Sequence, residues 1–93
     1  MRLNGELAYE RLGKKIYLSL NNEVYILDNE VSIYIFELLK KRIEINNIKE
    51  RVISAFANTE EYTNEEKKIF IEEFIADLIN NKIFLLEDET NKY

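Results

Sequence analysis

Apolar and polar residues alternate along the first third of the chain, a pattern typical of β-strands that bury one face. The pattern predicts three strands, over Glu6–Leu12, Lys15–Leu20 and Glu23–Leu27. Gly13-Lys14 separates the first two strands, and Asn21-Asn22 separates the second from the third. Because Asn tolerates the positive φ that a type I′ turn requires, we expect a two-residue hairpin loop at Asn21-Asn22.

This loop also determines which residues of the hairpin face one another. The expected pairs are Leu20 with Glu23, Leu18 with Tyr25 and Ile16 with Leu27 on one face, and Tyr17 with Ile26 and Ser19 with Val24 on the other. The first face is the more apolar and is expected to face the core. The second face is apolar enough that we expect it to be covered too, by the protein's own helices rather than by a partner.

The remaining two thirds of the chain have the periodicity of amphipathic helices. Asp28 or Asn29 is expected to cap a first helix that runs to about Lys41. Its apolar stripe comprises Val31, Tyr34, Ile35, Leu38 and Leu39. Ile33 and Phe36 lie away from that stripe, which predicts a helix buried on two sides.

The second predicted helix is short. Asn46 or Asn47 is expected to cap it, with Glu50 completing an approximate capping box, and it ends near Ala57. Its apolar side comprises Ile48, Val52, Ile53 and Phe56.

The third predicted helix is longer and follows a polar connection over residues 58–62. Thr63 and Glu66 have the spacing of a capping box, and the helix is expected to run to Asn80 or Asn81. Its core stripe comprises Ile71, Phe74, Ile75, Leu78 and Ile79.

Strands followed by helices indicate an α+β domain, a three-stranded antiparallel sheet followed by three helices. Two short helices before a longer one resemble a winged helix-turn-helix arrangement. The chain is predicted to end in an apolar strand or turn at Lys82–Leu86 and a solvated tail at Glu87–Tyr93. With 93 residues it is expected to form a single domain over residues 1–93, ordered from about 6 to 86.

The composition argues against catalysis. The chain has no His and no Cys, which removes imidazole acid–base groups, thiolate nucleophiles and the usual zinc ligands. Glu66, Glu73 and Asp77 share one side of the third helix, but a solvated acidic face explains them better than a metal site. No glycine-rich phosphate loop is present in the sequence. We therefore expect no enzymatic activity, no cofactor and no metal.

The net charge of −5 disfavours a nucleic-acid partner, because such proteins usually present a basic face to phosphates. The densest basic cluster, Lys40-Lys41-Arg42, is explained by the favourable interaction of cations with a helix C-terminus. We expect no signal peptide, because Met1–Gly5 leads into a mixed polar segment, and no apolar run of the sequence is long enough to span a membrane. The protein is therefore expected to be soluble and cytoplasmic, with no membrane partner.

A peptide-binding role has better support, from the third strand and the third helix. Glu23–Leu27 carries no Lys, Pro or other feature that blunts a sheet edge, so it is a candidate for strand addition. A helix or the segment Ile83–Leu86 covering that edge would explain the pattern equally well. Phe70 and Phe74 widen the apolar arc of the third helix beyond one core seam. They could line a groove beside the edge or pack inside the protein, Phe70 beneath the Asn58–Thr63 connection.

Two segments of the chain match landmarks of a known family. Tyr25–Val31, followed by Ile35–Leu39, is similar to a family strand that ends in Leu-Asn and runs into an apolar first helix. Phe74–Leu85 is similar to its closing helix and the apolar run behind it. The chain thus resembles the PqqD-like domains, the RiPP recognition elements, over about Glu6 to Leu86.

The resemblance implies a non-catalytic domain that binds the leader segment of a ribosomally synthesised precursor peptide as an extra strand. The domain would deliver the peptide to a modifying enzyme or leader peptidase, such as a radical-SAM maturase or a lasso-peptide protease. The implied peptide-binding residues are Glu23, Val24, Tyr25, Ile26, Leu27, Lys67, Phe70, Ile71, Phe74, Asp77 and Leu78. Many relatives have Gly after the third helix; here we expect Asn81 to take the left-handed cap conformation.

Two other functions are compatible with the sequence. An acidic winged-helix DNA-binding regulator would contact phosphates through Lys49, Arg51, Lys67 and Lys68. A scaffold subunit would use its apolar sheet face to form a homodimer. Salt-sensitive DNA binding would support the first function, and a size-exclusion mass that depends on concentration would support the second.

Overall fold

The computed structural model describes residues 2–57 and 62–86. Within these ranges the elements are strands β1 (Arg2–Leu3), β2 (Ala8–Leu12), β3 (Lys15–Leu20), β4 (Glu23–Leu27) and β5 (Phe84–Leu85), and helices α1 (Glu30–Lys40), α2 (Ile45–Ala55) and α3 (Asn64–Asn80). Strands β2, β3 and β4 form a three-stranded antiparallel sheet, which confirms the predicted α+β fold class. Residues 58–61 of the predicted polar connection and the predicted tail, Glu87–Tyr93, lie outside the described residues.

The β3–β4 hairpin has the predicted turn and register. Asn21 and Asn22 both have positive φ, at 52° and 67°, as a type I′ turn requires. All five expected residue pairs are present, from Leu20 with Glu23 to Ile16 with Leu27. Ile16, Leu18 and Leu20 are consequently buried on the inner face of the sheet.

The expectation that the protein's own helices cover both faces of the sheet is wrong. Val24 and Ile26, on the outer face, are 64% and 52% exposed. The reason is that the buried hydrophobic side chains of the helices all join one core with Ile16, Leu18 and Leu27, on the inner face. No described element is left to cover the outer face.

Helix α1 begins as predicted and is buried on two sides. Asn29 is its N-cap, and the Asn29 side chain accepts hydrogen bonds from the backbone N–H of Val31 and of Ser32. Ile33 and Phe36 are buried together with the residues of the main stripe. None of the helices in the described ranges is long and apolar enough to cross a membrane.

The predicted cap of α2 is wrong, because the helix begins before Asn46. Its N-cap is Glu44, whose side chain makes no capping hydrogen bond. The chain reverses at once after α1: Arg42 has a φ of 61°, and the Ile43 N–H bonds to the carbonyl of Leu38 at 3.2 Å. This Schellman-type ending satisfies the last carbonyls of α1 and leaves only a short connection before the next helix.

Helix α3 confirms the predicted capping box but not the predicted C-cap. Thr63 and Glu66 form both reciprocal hydrogen bonds. At the other end Asn81 has a φ of −89°, and Lys82, with a φ of 64°, takes the left-handed conformation instead. The next residue, Ile83, is 2% exposed and bonds through its N–H to the Leu78 carbonyl. In this type of helix ending, the residue before the buried apolar residue takes the left-handed conformation. Because Ile83 is the buried residue, that conformation falls on Lys82.

Strand β1 lies before the predicted ordered range, which begins at about residue 6. Arg2 pairs with Leu85 and Leu3 pairs with Phe84, so β5 extends β1 and not β4. Asn4 strengthens the junction, because its side-chain Nδ2 donates to the Lys82 carbonyl at 2.8 Å. The alternative in which Ile83–Leu86 covers the edge of β4 is therefore wrong.

We expect Thr63→Ala to lower the free energy of unfolding by about 1 kcal/mol, because the N-terminal amides of α3 lose their cap. Urea denaturation monitored by circular dichroism measures the loss. Ser54→Ala, at an exposed position of α2, is the control and should change stability little. Equal effects of the two substitutions would contradict the capping role of Thr63.

Candidate peptide-binding site

One edge of the three-stranded sheet is formed by β4. The strand order is β2-β3-β4, and no backbone group from the described residues pairs with the outer edge of β4. In an antiparallel hairpin with a two-residue loop, alternate residues bond to the partner strand, starting with the pair that flanks the loop. Glu23, Tyr25 and Leu27 therefore bond to β3, whereas the N–H and C=O groups of Val24 and Ile26 point to the free edge.

The side chains of β4 differ in environment along the strand. Leu27 is buried, Tyr25 is half-buried on the inner face, and Val24 and Ile26 are exposed on the outer face. The Tyr25 hydroxyl donates a hydrogen bond to the Glu23 carboxylate at 2.5 Å. That bond, with lesser effects of desolvation and the negative charge of Glu23, raises the pKa of the Tyr25 phenol above its ordinary value.

An apolar cleft of about 440 Å³ opens just beyond the end of β4. Its walls are the start of α1, the end of α2 and the first half of α3. The lining residues are Asn29, Val31, Val52, Phe56, Tyr62, Glu66, Lys67, Ile69, Phe70 and Glu73. Asn29 lines the cleft and stands two residues after Leu27, the last residue of β4, so one wall of the cleft begins in the connection between β4 and α1.

Lys67 and Phe56 hold two walls of the cleft together. The Lys67 Nζ donates to the Phe56 carbonyl at 2.9 Å, across the gap between α3 and the end of α2. The Phe56 ring also packs edge-to-face on Tyr34 of α1, with 5.8 Å between ring centroids. These contacts join all three helices at the cleft.

Phe70 and Phe74 form a stacked pair on α3. Their ring centroids are 6.1 Å apart and the ring planes differ by 3°. Phe74 is half-buried and packs against the core, whereas Phe70 is 40% exposed and lines the cleft. Phe70 thus presents an aromatic surface that Phe74 supports from behind.

The structure brings together only some of the α3 residues that the family resemblance implies. Lys67 and Phe70 line the cleft, and Asp77 is exposed further along the helix. Ile71 and Leu78 are buried in the core, with exposed fractions of 0% and 3%.

Several cleft residues are absent from the set that the sequence predicts. Three of these cleft residues lie on α3: Glu66, Ile69 and Glu73. The others come from the rest of the chain and include Val31, Val52, Phe56 and Tyr62. Together with Phe70, these three residues have the spacing i, i+3, i+4 and i+7 of one helical face, with Glu66 as i. The sequence alone could therefore have indicated that they share one side of α3. The positions from other elements meet only in three dimensions. Among the described residues no group of three or more His, Cys, Asp or Glu side chains could hold a metal ion.

Comparison with known proteins supports the fold. No family model matches the chain, and no curated protein matches it in sequence. A solved structure described as TbiB1 in complex with the TbiA(beta) leader peptide has a similar fold, with a TM-score of 0.75. The match covers 89% of this chain and 93% of that chain at 14% sequence identity, so it shows a shared fold.

We expect Phe70→Ala to cost far less stability than Phe36→Ala. Phe36 is fully buried, and its truncation should lower the free energy of unfolding by about 3–5 kcal/mol. Phe70 should lose mainly its aromatic pair with Phe74, about 1 kcal/mol. Urea denaturation of both variants checks the comparison, and a Phe70→Ala loss as large as that of Phe36→Ala would place Phe70 in the core.

Proposed function

We propose that this protein is a non-catalytic, PqqD-like module that binds the leader segment of a ribosomally synthesised precursor peptide. The observation that carries the proposal is the outer edge of β4, which no described residue pairs, together with an apolar cleft whose wall begins two residues after the strand ends. The similar fold of TbiB1, a protein described in complex with a leader peptide, supports it.

The edge of β4 and the cleft would contribute differently to peptide binding, the edge to affinity and the cleft to selectivity. Val24 and Ile26 direct backbone donors and acceptors outward, so an extended peptide can add to the sheet through main-chain hydrogen bonds that depend little on its sequence. The cleft would supply selectivity by accepting particular side chains of the same peptide. Phe70 and Lys67 belong to this second part of the site.

We further propose that the bound peptide is delivered to a modifying enzyme or a leader peptidase, as in lasso-peptide or radical-SAM maturation. The absence of His and Cys from the whole sequence supports a binding role, because the side chains that most often act as bases and nucleophiles are missing. The chemistry would then reside in the partner enzyme, with no cofactor held by this chain.

A DNA-binding function has less support. Of the lysines that would contact phosphates, Lys67 donates to the Phe56 carbonyl and Lys49 pairs with Glu72. Lys68 lies 3.6 Å from the Glu65 carboxylate. The charges of Lys49 and Lys68 are therefore partly compensated by carboxylates, and the Lys67 ammonium is engaged by a carbonyl, which weakens their attraction for phosphate.

Homodimerisation through the outer sheet face is the second candidate, because Val24 and Ile26 are exposed there. Strand addition uses the edge of β4, whereas a face-to-face dimer would use its outer surface. A size-exclusion mass that rises with concentration in the absence of peptide would favour the dimer.

We expect Ile26→Pro to weaken leader-peptide binding about tenfold or more, because a lost edge donor leaves a peptide carbonyl unpaired at a cost of about 1–3 kcal/mol. Fluorescence anisotropy with a labelled leader segment of the precursor peptide encoded nearby measures the affinity. The unmodified protein should bind about micromolar or tighter, roughly −8 kcal/mol. Since the Ile26 N–H points away from β3, the hairpin should remain folded, and circular dichroism verifies this.

The matched control is Arg11→Pro on β2. By the same alternation the Arg11 N–H points to the opposite free edge of the sheet, so this variant carries an equivalent proline away from the proposed site. It should bind the peptide as the unmodified protein does. Unchanged binding by folded Ile26→Pro, or equal losses in both variants, would contradict strand addition at β4. A labelled DNA duplex, measured separately in place of the peptide, tests the alternative DNA-binding function.

A further inference from the structure

Within the described residues, the cleft and its surroundings carry more negative than positive charge. Glu66 and Glu73 lie on the α3 wall, and Asp28 and Glu30 are exposed sequence neighbours of Asn29, which lines the α1 wall. Glu66 accepts a hydrogen bond from the Thr63 N–H, whereas Asp28, Glu30 and Glu73 make no hydrogen bond or ion pair with any residue in the part of the chain that the structure describes. Lys67, the one cation among the described lining residues, donates a hydrogen bond to the Phe56 carbonyl.

The interior of the cleft is apolar and large enough for a bulky side chain. Val31, Val52 and Phe56 lie deeper in the walls, and Phe70 offers an exposed ring nearer the rim. The volume of about 440 Å³ is within the range of sites that bind small organic groups. An aliphatic or aromatic residue of a peptide would bury its side chain there without leaving a polar group unpaired.

The Phe70 ring and the Glu73 carboxylate favour the same kind of neighbour for that apolar residue. The residues lie on the same stripe of α3, and a Lys or Arg stem can pack on the ring while its charge meets the carboxylate. An acidic peptide residue at the same place would be repelled by Glu73 and Glu66, which share that stripe of α3.

We propose that the cleft selects a peptide segment in which a bulky apolar residue is flanked by Lys or Arg, with Glu73 as the main determinant of the charge preference. This inference rests on the proposed peptide-binding function and adds the chemical class of the segment recognised. It places basic residues of the peptide over α3, beside the residue that fills the cleft.

Selection from a random peptide display library tests the preference, because the library offers every residue type to the cleft. The unmodified protein should enrich peptides with an apolar residue next to Lys or Arg, and Glu73→Lys should lose that basic preference. Glu50→Lys, at an exposed position of α2 outside the cleft lining, makes the same change in net charge and is the control. It should select peptides as the unmodified protein does.

One enriched peptide and its Lys→Glu or Arg→Glu counterpart then complete a charge-reversal cycle. An exposed ion pair contributes up to about 1 kcal/mol, so Glu73→Lys should weaken the basic peptide about fivefold and favour the acidic one by a similar factor. Enrichment with no charge preference, or a preference that Glu50→Lys alters equally, would overturn the inference and leave the proposed function intact. Failure to enrich any peptide would contradict the proposed function itself.

Discussion

The register of the β3–β4 hairpin is the constraint on which the rest of the structure depends. It is set by two consecutive Asn residues that both accept positive φ, Asn21 and Asn22. Because side chains alternate between faces, a slip of one residue would expose Ile16 and Leu18 and turn the edge groups of β4 toward β3. The same turn therefore determines both the buried face and the free backbone donors and acceptors of the candidate site.

The core formed on that face also holds the rest of the site in place. Phe36 of α1 packs edge-to-face on Phe84 of β5, with 5.7 Å between ring centroids, and Phe84 pairs with Leu3 of β1. These contacts hold β5, which follows α3, against α1 and β1. Near the beginning of α3, the Lys67 hydrogen bond to the Phe56 carbonyl connects the helix to the end of α2. Contacts that hold the walls of a cleft together in the free protein reduce the conformational entropy lost on binding, which favours affinity.

Local patterns in the sequence are sufficient to predict the hairpin register, the helices and the capping box at Thr63, because each depends on residues close in the chain. The failures have a common physical cause, which is that tertiary packing decides between locally similar options. Lys82 takes the left-handed cap because Ile83 must be buried, although Asn81 is intrinsically better suited to it. Strand β1 is too short to show a pattern and exists because β5 pairs with it. The cleft is the least predictable part, since it is assembled from three helices.

Amide hydrogen exchange, measured by NMR with and without the leader peptide, tests the central claim most directly, because it reports on individual donors of β4. In the free protein the Tyr25 and Leu27 amides should exchange slowly and the Val24 and Ile26 amides quickly, since only the first two bond to β3. Saturating peptide should slow exchange at Val24 and Ile26 and leave Tyr25 and Leu27 protected as before. Peptide binding that leaves the exchange of Val24 and Ile26 as fast as in the free protein would contradict strand addition to β4.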